Sequence, residues 1–198
     1  MNRTLVSLAF VPLFLLAGCG QDPQTAPSSS SPPSSGAPAT TGPAATPSAA
    51  PAGLRPPTST KEIEVERTTV ASPTVTGARF GRHQGFDRVV IDLNGDVPGY
   101  TARWVPELVQ DGSGDRIDVK GGAYLQLTMS PAIAHTEAGK PSWTGGPIFQ
   151  AQLGNVQSVV KTGDFEGVVS VGIVLDHRAP FRVLEQKSPN RLVVDVAH

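Results

Sequence analysis

The sequence predicts an all-β domain, a β-sandwich of two mainly antiparallel sheets, preceded by a signal peptide and a disordered linker. Three observations predict it. Five segments, 88–93, 116–120, 124–129, 168–176 and 191–196, alternate apolar and polar residues with a period of two. That is the pattern of strands with one face buried. Turn-forming residues separate these segments: Asn94-Gly95-Asp96, Asp111-Gly112-Ser113-Gly114, Gly121-Gly122, Thr162-Gly163-Asp164 and Ser188-Pro189-Asn190. Composition then divides the 198 residues: ten of the 19 prolines fall between Asp22 and Ser59, where Leu54 is the single large apolar residue, and no aromatic lies between Phe14 and Phe80. Such a stretch buries too little apolar surface to offset the entropy of ordering it. About 130 residues remain, enough for one core.

Residues 1–18 read as an export signal. Met1-Asn2-Arg3 opens with a positive charge and an apolar run from Leu5 to Leu16 follows. The run is shorter than the roughly 20 residues a spanning helix needs, and it suits the hydrophobic part of a signal peptide. Leu16-Ala17-Gly18-Cys19 resembles the bacterial lipobox, which implies cleavage before Cys19 and diacylglyceryl transfer to its thiol. Two or three acyl chains, at about 0.8 kcal/mol per buried methylene, anchor firmly. The expected location is the extracytoplasmic face of the cell membrane, with the membrane itself as a partner. Residues 19–67 carry the anchor and a Pro/Ser/Ala/Thr-rich linker. As flexible coil this tether spans roughly 35–40 Å, and as extended polyproline near 150 Å. The charged stretch from Lys61 to Arg67 is expected to be solvated linker.

The domain proper is expected over 68–198. Val89, Ile91 and Leu93 share one face of the first strong strand. Ile117 and Val119 do so in the next, then Leu125, Leu127 and Met129. Val169, Val171, Ile173 and Leu175 follow, and last Leu192, Val194 and Val196. Weaker strands are expected at 75–82, 100–105, 156–161 and 181–185, making eight or nine, with a turn or short helix near 131–135. Asp87-Arg88-Val89-Val90-Ile91-Asp92-Leu93 is echoed by Asn190-Arg191-Leu192-Val193-Val194-Asp195-Val196, and both outward stripes read Arg, Val, Asp.

Gly85-Phe86-Asp87-Arg88-Val89-Val90-Ile91-Asp92, Pro98-Gly99-Tyr100, Gly163-Asp164-Phe165-Glu166-Gly167, Ala179-Pro180-Phe181-Arg182-Val183 and the closing 191–198 block appear in one order. Together, over about 74–198, they resemble the AMIN-like domain of actinobacterial lipoproteins. The resemblance implies a β-sandwich of two symmetrical sheets. In the parent AMIN domain, found beside cell-wall amidases and secretins, that sandwich localises a protein by binding peptidoglycan. It implies no catalytic residues and no cofactor.

Chemistry-bearing motifs are sparse. From Lys61 onward there are 14 Lys and Arg against 16 Asp and Glu, so the basic surplus of a nucleic-acid binder is missing. One cysteine excludes an intramolecular disulfide and a Cys-based zinc site. His135-Thr136-Glu137 lacks the Cys pair of zinc deaminases, and His83, His135, His177 and His198 show no ligand spacing, so no metal is expected. Ser142-Trp143-Thr144-Gly145-Gly146 is not a nucleophile elbow, and Asp164 and Glu166 read as turn residues. A non-catalytic binding module is therefore expected. The long loop 130–146, holding His135, Glu137, Lys140 and Trp143, is the natural place for function. An exposed Trp143 or Tyr124 could lie against a sugar, and Arg88 or Arg191 could grip a stem-peptide carboxylate. Against that stands packing: Trp143 as the plug of the sandwich, the arginines in cross-strand ion pairs. Cell-wall polymer is the expected partner. The alternative is a protein-interaction module that docks a secreted enzyme or envelope complex through a sheet edge or the outward valines Val90 and Val193.

Overall fold

The computed structural model describes residues 54–198; the expected signal peptide, Cys19 and most of the linker lie outside the described residues. Ten strands form two antiparallel sheets, with no helix among the described residues. In chain order they are β1 (Ile63–Val65), β2 (Thr74–His83), β3 (Phe86–Asn94), β4 (Gly99–Val105) and β5 (Ala123–Ser130). β6 (Ile148–Gln150), β7 (Val156–Phe165), β8 (Val168–Leu175), β9 (Phe181–Gln186) and β10 (Arg191–Ala197) follow. One sheet has the order β1-β4-β5-β8-β7-β6 and the other β2-β3-β10-β9.

The alternation read from sequence is what packs the sandwich. Val89 and Ile91 of β3 and Leu192, Val194 and Val196 of β10 meet Leu125, Leu127 and Met129 of β5 and Val171 and Ile173 of β8 in one core. Each such fully buried aliphatic side chain stabilises the fold by about 1.5–3 kcal/mol. Asp87 also points inward, fully buried. It accepts the backbone N–H of Gly154 (3.2 Å), Asn155 (2.6 Å) and Val156 (2.8 Å), and its other contact is His198 Nε2 at 2.9 Å. This carboxylate clips β3 of one sheet to the start of β7 in the other.

The echoed segments lie side by side as β3 and β10, antiparallel, with Val90 opposite Val193, Arg88 opposite Asp195 and Asp92 opposite Arg191. Antiparallel pairing turns a repeated Arg-Val-Asp into crossed opposite charges. Arg88 grips Asp195 with two hydrogen bonds (2.7 and 2.9 Å), and Arg182 of β9 adds a third at 2.8 Å. Asp92 is taken bidentately by Arg79 of β2.

Four expectations are corrected. Residues 61–67 are not free linker: β1 pairs with β4, Glu62 accepts the Trp104 backbone N–H, and Trp104 Nε1 donates to Thr60 O. The Phe181 N–H also donates to Ser59 O. The charges there alternate with Ile63 and Val65, which pack on the core, so the segment is an edge strand with a polar outer face. Residues 116–120 form no strand; only Arg116 makes an isolated bridge, to Val109. Their apolar side packs instead on the outer face of the larger sheet, where Ile117 and Val119 cover Leu108, Val160 and Val174. Gly172 makes that cap possible, since any side chain there would collide with Leu108. Thr162-Gly163-Asp164 is not a turn but a bulge within β7, and the chain reverses at Glu166-Gly167. Finally, Val193 is fully buried between Val90 and Leu184, so it offers no exposed docking valine.

Candidate functional site

β7 is ten residues long, but its outer neighbour β6 pairs only with Ser158, Val159 and Val160. Beyond that no strand among the described residues pairs with 161–165 on the outer side; loop segments hold the backbone there, Lys161 N donating to Pro147 O and Thr162 O accepting the Asp111 N–H, both at 2.9 Å. The register slips between Lys161 and Gly163. A regular strand sends consecutive side chains to opposite faces; a bulge re-aims them. Here Lys161, Thr162 and Asp164 all line one cleft of about 490 Å³. That lies inside the roughly 300–1,000 Å³ typical of ligand sites. His135, Pro141 and Trp143 of the long loop form one wall, Gln110 and Ile117 of the cap the other.

The loop is well tied down. The Val75 and Ile133 backbones bond at 2.8 Å, Ser142 N donates to Ala134 O, and Ser142 Oγ donates to Val75 O at 2.6 Å. The Gly145-Gly146 bend has positive φ at both residues, and a Cβ on Gly146 would stand 2.8 Å from the Phe149 ring. Glycine therefore lets Phe149 tuck under Trp143, the rings stacked 5.1 Å apart and 11° from parallel. Lys161 Nζ sits 5.1 Å from the Trp143 centroid and 5.7 Å from that of Phe149, donating to Trp143 O at 2.7 Å. Burial pulls its ammonium below the usual lysine range. No carboxylate stands within ion-pair distance of it among the described residues.

Across the cleft, His135 Nδ1 and Asp164 Oδ2 are 2.6 Å apart, which leaves the ring's Nε2 free of that bond. Asp164 Oδ1 is buried with no partner among the described residues, and so is Thr162 Oγ1, whose residue is 1% exposed. The site thus holds a cation without an anion and two buried oxygens without donors. Unmade hydrogen bonds of this kind are uncommon in folded proteins and call for a cause. No three His, Cys, Asp or Glu side chains converge as a metal site among the described residues.

The four residues singled out from sequence do not come together. Arg88 and Arg191 share the outward face of the smaller sheet. Arg88 is held by Asp195, while Arg191 Nε is buried and unpartnered among the described residues. Tyr124 lies on the other sheet under the cap, its hydroxyl donating to Val119 O at 3.0 Å. Trp143 alone reaches the cleft, and it is 5% exposed, a wall and plug rather than an open platform. Glu137 and Lys140 of the same loop stay exposed outside it. In the sequence Lys161 closes an expected weak strand, and Thr162 and Asp164 belong to an expected turn. The available signal was the broken alternation after Val160, where a Lys and a Thr precede a glycine inside an apolar run.

Compared with protein-family models, residues 73–198 match the AMIN-like domain. The chain belongs to the AMIN-like domain family. Comparison with curated proteins and with solved structures finds no match. The AMIN-like domain is a binding-type domain related to peptidoglycan recognition. Its matched stretch contains both the crossed Arg/Asp pairs and the cleft, whereas β1 precedes the match and pairs with β4 inside it.

Proposed function

We propose that this protein is a lipoprotein anchored through Cys19 on the extracytoplasmic face of the membrane, and that its AMIN-like domain binds cell-wall peptidoglycan in the cleft beside β7. Family membership supports the polymer as partner, and the sequence around Cys19 supports the anchor. One observation carries the choice of surface: the Lys161 ammonium, with no carboxylate partner among the described residues, lines a cleft walled by Trp143 and His135. On the outward face of the smaller sheet, Asp195 and Asp92 are already gripped by arginines.

The test is co-sedimentation of the full chain with purified cell-wall sacculi. Lys161→Met should lower the affinity about tenfold, the worth of one hydrogen bond to a charged group. Arg88→Ala with Arg191→Ala should leave sedimentation unchanged at a temperature where both variants are folded. The opposite pattern moves the site to the smaller sheet. A soluble wild type that instead captures a protein from an envelope extract replaces the polymer with a protein partner. Labelled palmitate entering the wild type but not Cys19→Ser reports the anchor.

A further inference from the structure

The cap formed by Leu108, Ile117 and Val119 covers only part of the outer face of the larger sheet. On the rest, pairing across neighbouring strands puts Glu64, Thr101, Thr128, Ser170 and Gly163 in one line. The line crosses β1, β4, β5, β8 and β7, which at one strand spacing per step makes about 19 Å. Two troughs of about 300 and 360 Å³ lie along it, and Thr128 lines both. Gln126, two residues from Thr128 on the same face of β5, lines the second. The hydroxyls of Thr101 and Thr128 and the amide of Gln126 are neither buried nor hydrogen-bonded to the protein among the described residues.

Phe165 stands at the β7 end of the second trough, opposite Val168 in the hairpin. It is 52% exposed, the one exposed aromatic among the described residues. Gly112 stands against one side of the ring, where a Cβ would reach Cγ and Cδ2 at 3.6 Å, and the Asp111 N–H ties that turn to Thr162 O of β7. A solvated sheet face needs polar residues, but it needs neither a trough nor an aromatic at its head. Charge narrows the choice of occupant. Along the floor are hydroxyls and an amide; Glu64 is answered by Arg103 and Arg67 by Glu185, while Asp111 and Glu166 at one end and Glu66 at the other disfavour an anionic polymer. The occupant that fits is uncharged, extended, rich in hydroxyls and apolar on one flat face.

We propose that this row is a second binding site, for a neutral oligosaccharide lying across the strands. The C–H face of one sugar ring rests on Phe165, and hydroxyls of the following rings exchange hydrogen bonds with Gln126, Thr128 and Thr101. The proposal rests on the reading that the partner is cell-wall polymer and names the glycan strand as the part this face holds; it does not depend on Lys161. Ser170 lines both the second trough and the cleft beside β7, so a glycan on the row passes next to the cleft.

Calorimetric titration of the full chain with chitotetraose tests it, alongside N-acetylglucosamine and tetralysine. The tetramer should bind, and the single sugar at least tenfold more weakly, because it spans only part of the row. Phe165→Ala should weaken the tetramer about fivefold, the worth of covering half an aromatic ring, and Phe165→Tyr should restore it. Gln126→Ala with Thr128→Val should weaken it about tenfold. Val70→Ser, which removes an exposed apolar side chain outside both troughs, should leave it unchanged. All these positions reach solvent, and thermal unfolding of each variant checks that the fold is kept. Tetramer binding that ignores both the Phe165 and the Gln126/Thr128 variants, or a preference for tetralysine, overturns the assignment. If sacculi sediment the chain while chitotetraose neither binds nor competes, this inference falls and peptidoglycan binding stands. If chitotetraose binds and sacculi do not, the polymer reading falls instead.

Discussion

Asp87 and Asp164 are carboxylates in the same small domain, and their circumstances are opposite. Asp87 is fully buried and receives three backbone N–H groups and a histidine. Asp164 receives one histidine at one oxygen and nothing at the other among the described residues. Around Asp87 every demand is met within the fold, so its charge serves to hold the sheets together. Around Lys161 the fold supplies no carboxylate among the described residues, and under the proposed function a cell-wall group answers that charge. On the proposed function the contrast separates charges that stabilise from charges that recognise, and it can be broken at either end.

The largest expected effect is at the clip. Asp87→Ala strands three backbone donors in the interior, and the loss should reach about 3–5 kcal/mol, read as a shift of the urea unfolding midpoint at constant slope. The same carboxyl sets a pH dependence. Burial, the strongest single influence, would raise its pKa, but the N–H groups of Asn155 and Val156, His198 and the N–H of Gly154 together outweigh it and leave it below the usual aspartate value. Between the folded and unfolded values the unfolded chain binds more protons. The contribution of Asp87 is therefore whole above about pH 4 and is lost as pH falls through the folded value. Asp87→Asn should flatten that acid limb; a limb unchanged in slope would assign it to other groups.

A smaller loss is expected where the linker joins the domain. Deleting residues up to 67 removes β1, its ladder with β4 and the bonds from Trp104 and Phe181. A few hydrogen bonds and two half-buried aliphatic side chains amount to about 2–4 kcal/mol. Thermal unfolding of the shortened domain beside the full chain measures it. Equal melting would return 61–67 to the linker.

These two regions also show what could be read in advance and why. The core strands were legible because β3, β5, β8 and β10 are each apolar on alternate residues, and the period of a strand is written directly in such a run. β1 was not, because three residues between charges carry too short a pattern to outweigh their composition. The 116–120 segment misled for the converse reason: one apolar side is needed for packing on a sheet face just as for joining a ladder. The loop 130–146 stood out by its length, and with Trp143 it forms one wall of the cleft. The partners of Trp143 were not legible, since a bulge is a property of register between strands. Nothing local in Lys161-Thr162-Gly163-Asp164 states which neighbour it will slip against. Ion pairing was half legible: cross-strand pairs were the alternative held open for Arg88 and Arg191, and Arg88 forms one, but which arginine claims Asp92 depends on β2 lying beside β3.

The smallest stability effect belongs to the cleft, and its smallness is the point. Lys161→Met keeps a long, flexible side chain between Trp143 and Phe149 while removing an ammonium that burial disfavours and that has no carboxylate in reach among the described residues. A thioether beside aromatic rings is itself favourable. The lost bond to Trp143 O and the relieved desolvation oppose each other, so the unfolding free energy should move by no more than about 0.5 kcal/mol, the range of substitutions that break no structural feature. Binding to sacculi should nevertheless fall. A residue whose loss harms recognition and spares the fold is one the fold was not using. Should Lys161→Met unfold the protein as Asp87→Ala does, the distinction between the clip and the cleft would collapse, and Lys161 would join the packing of the loop.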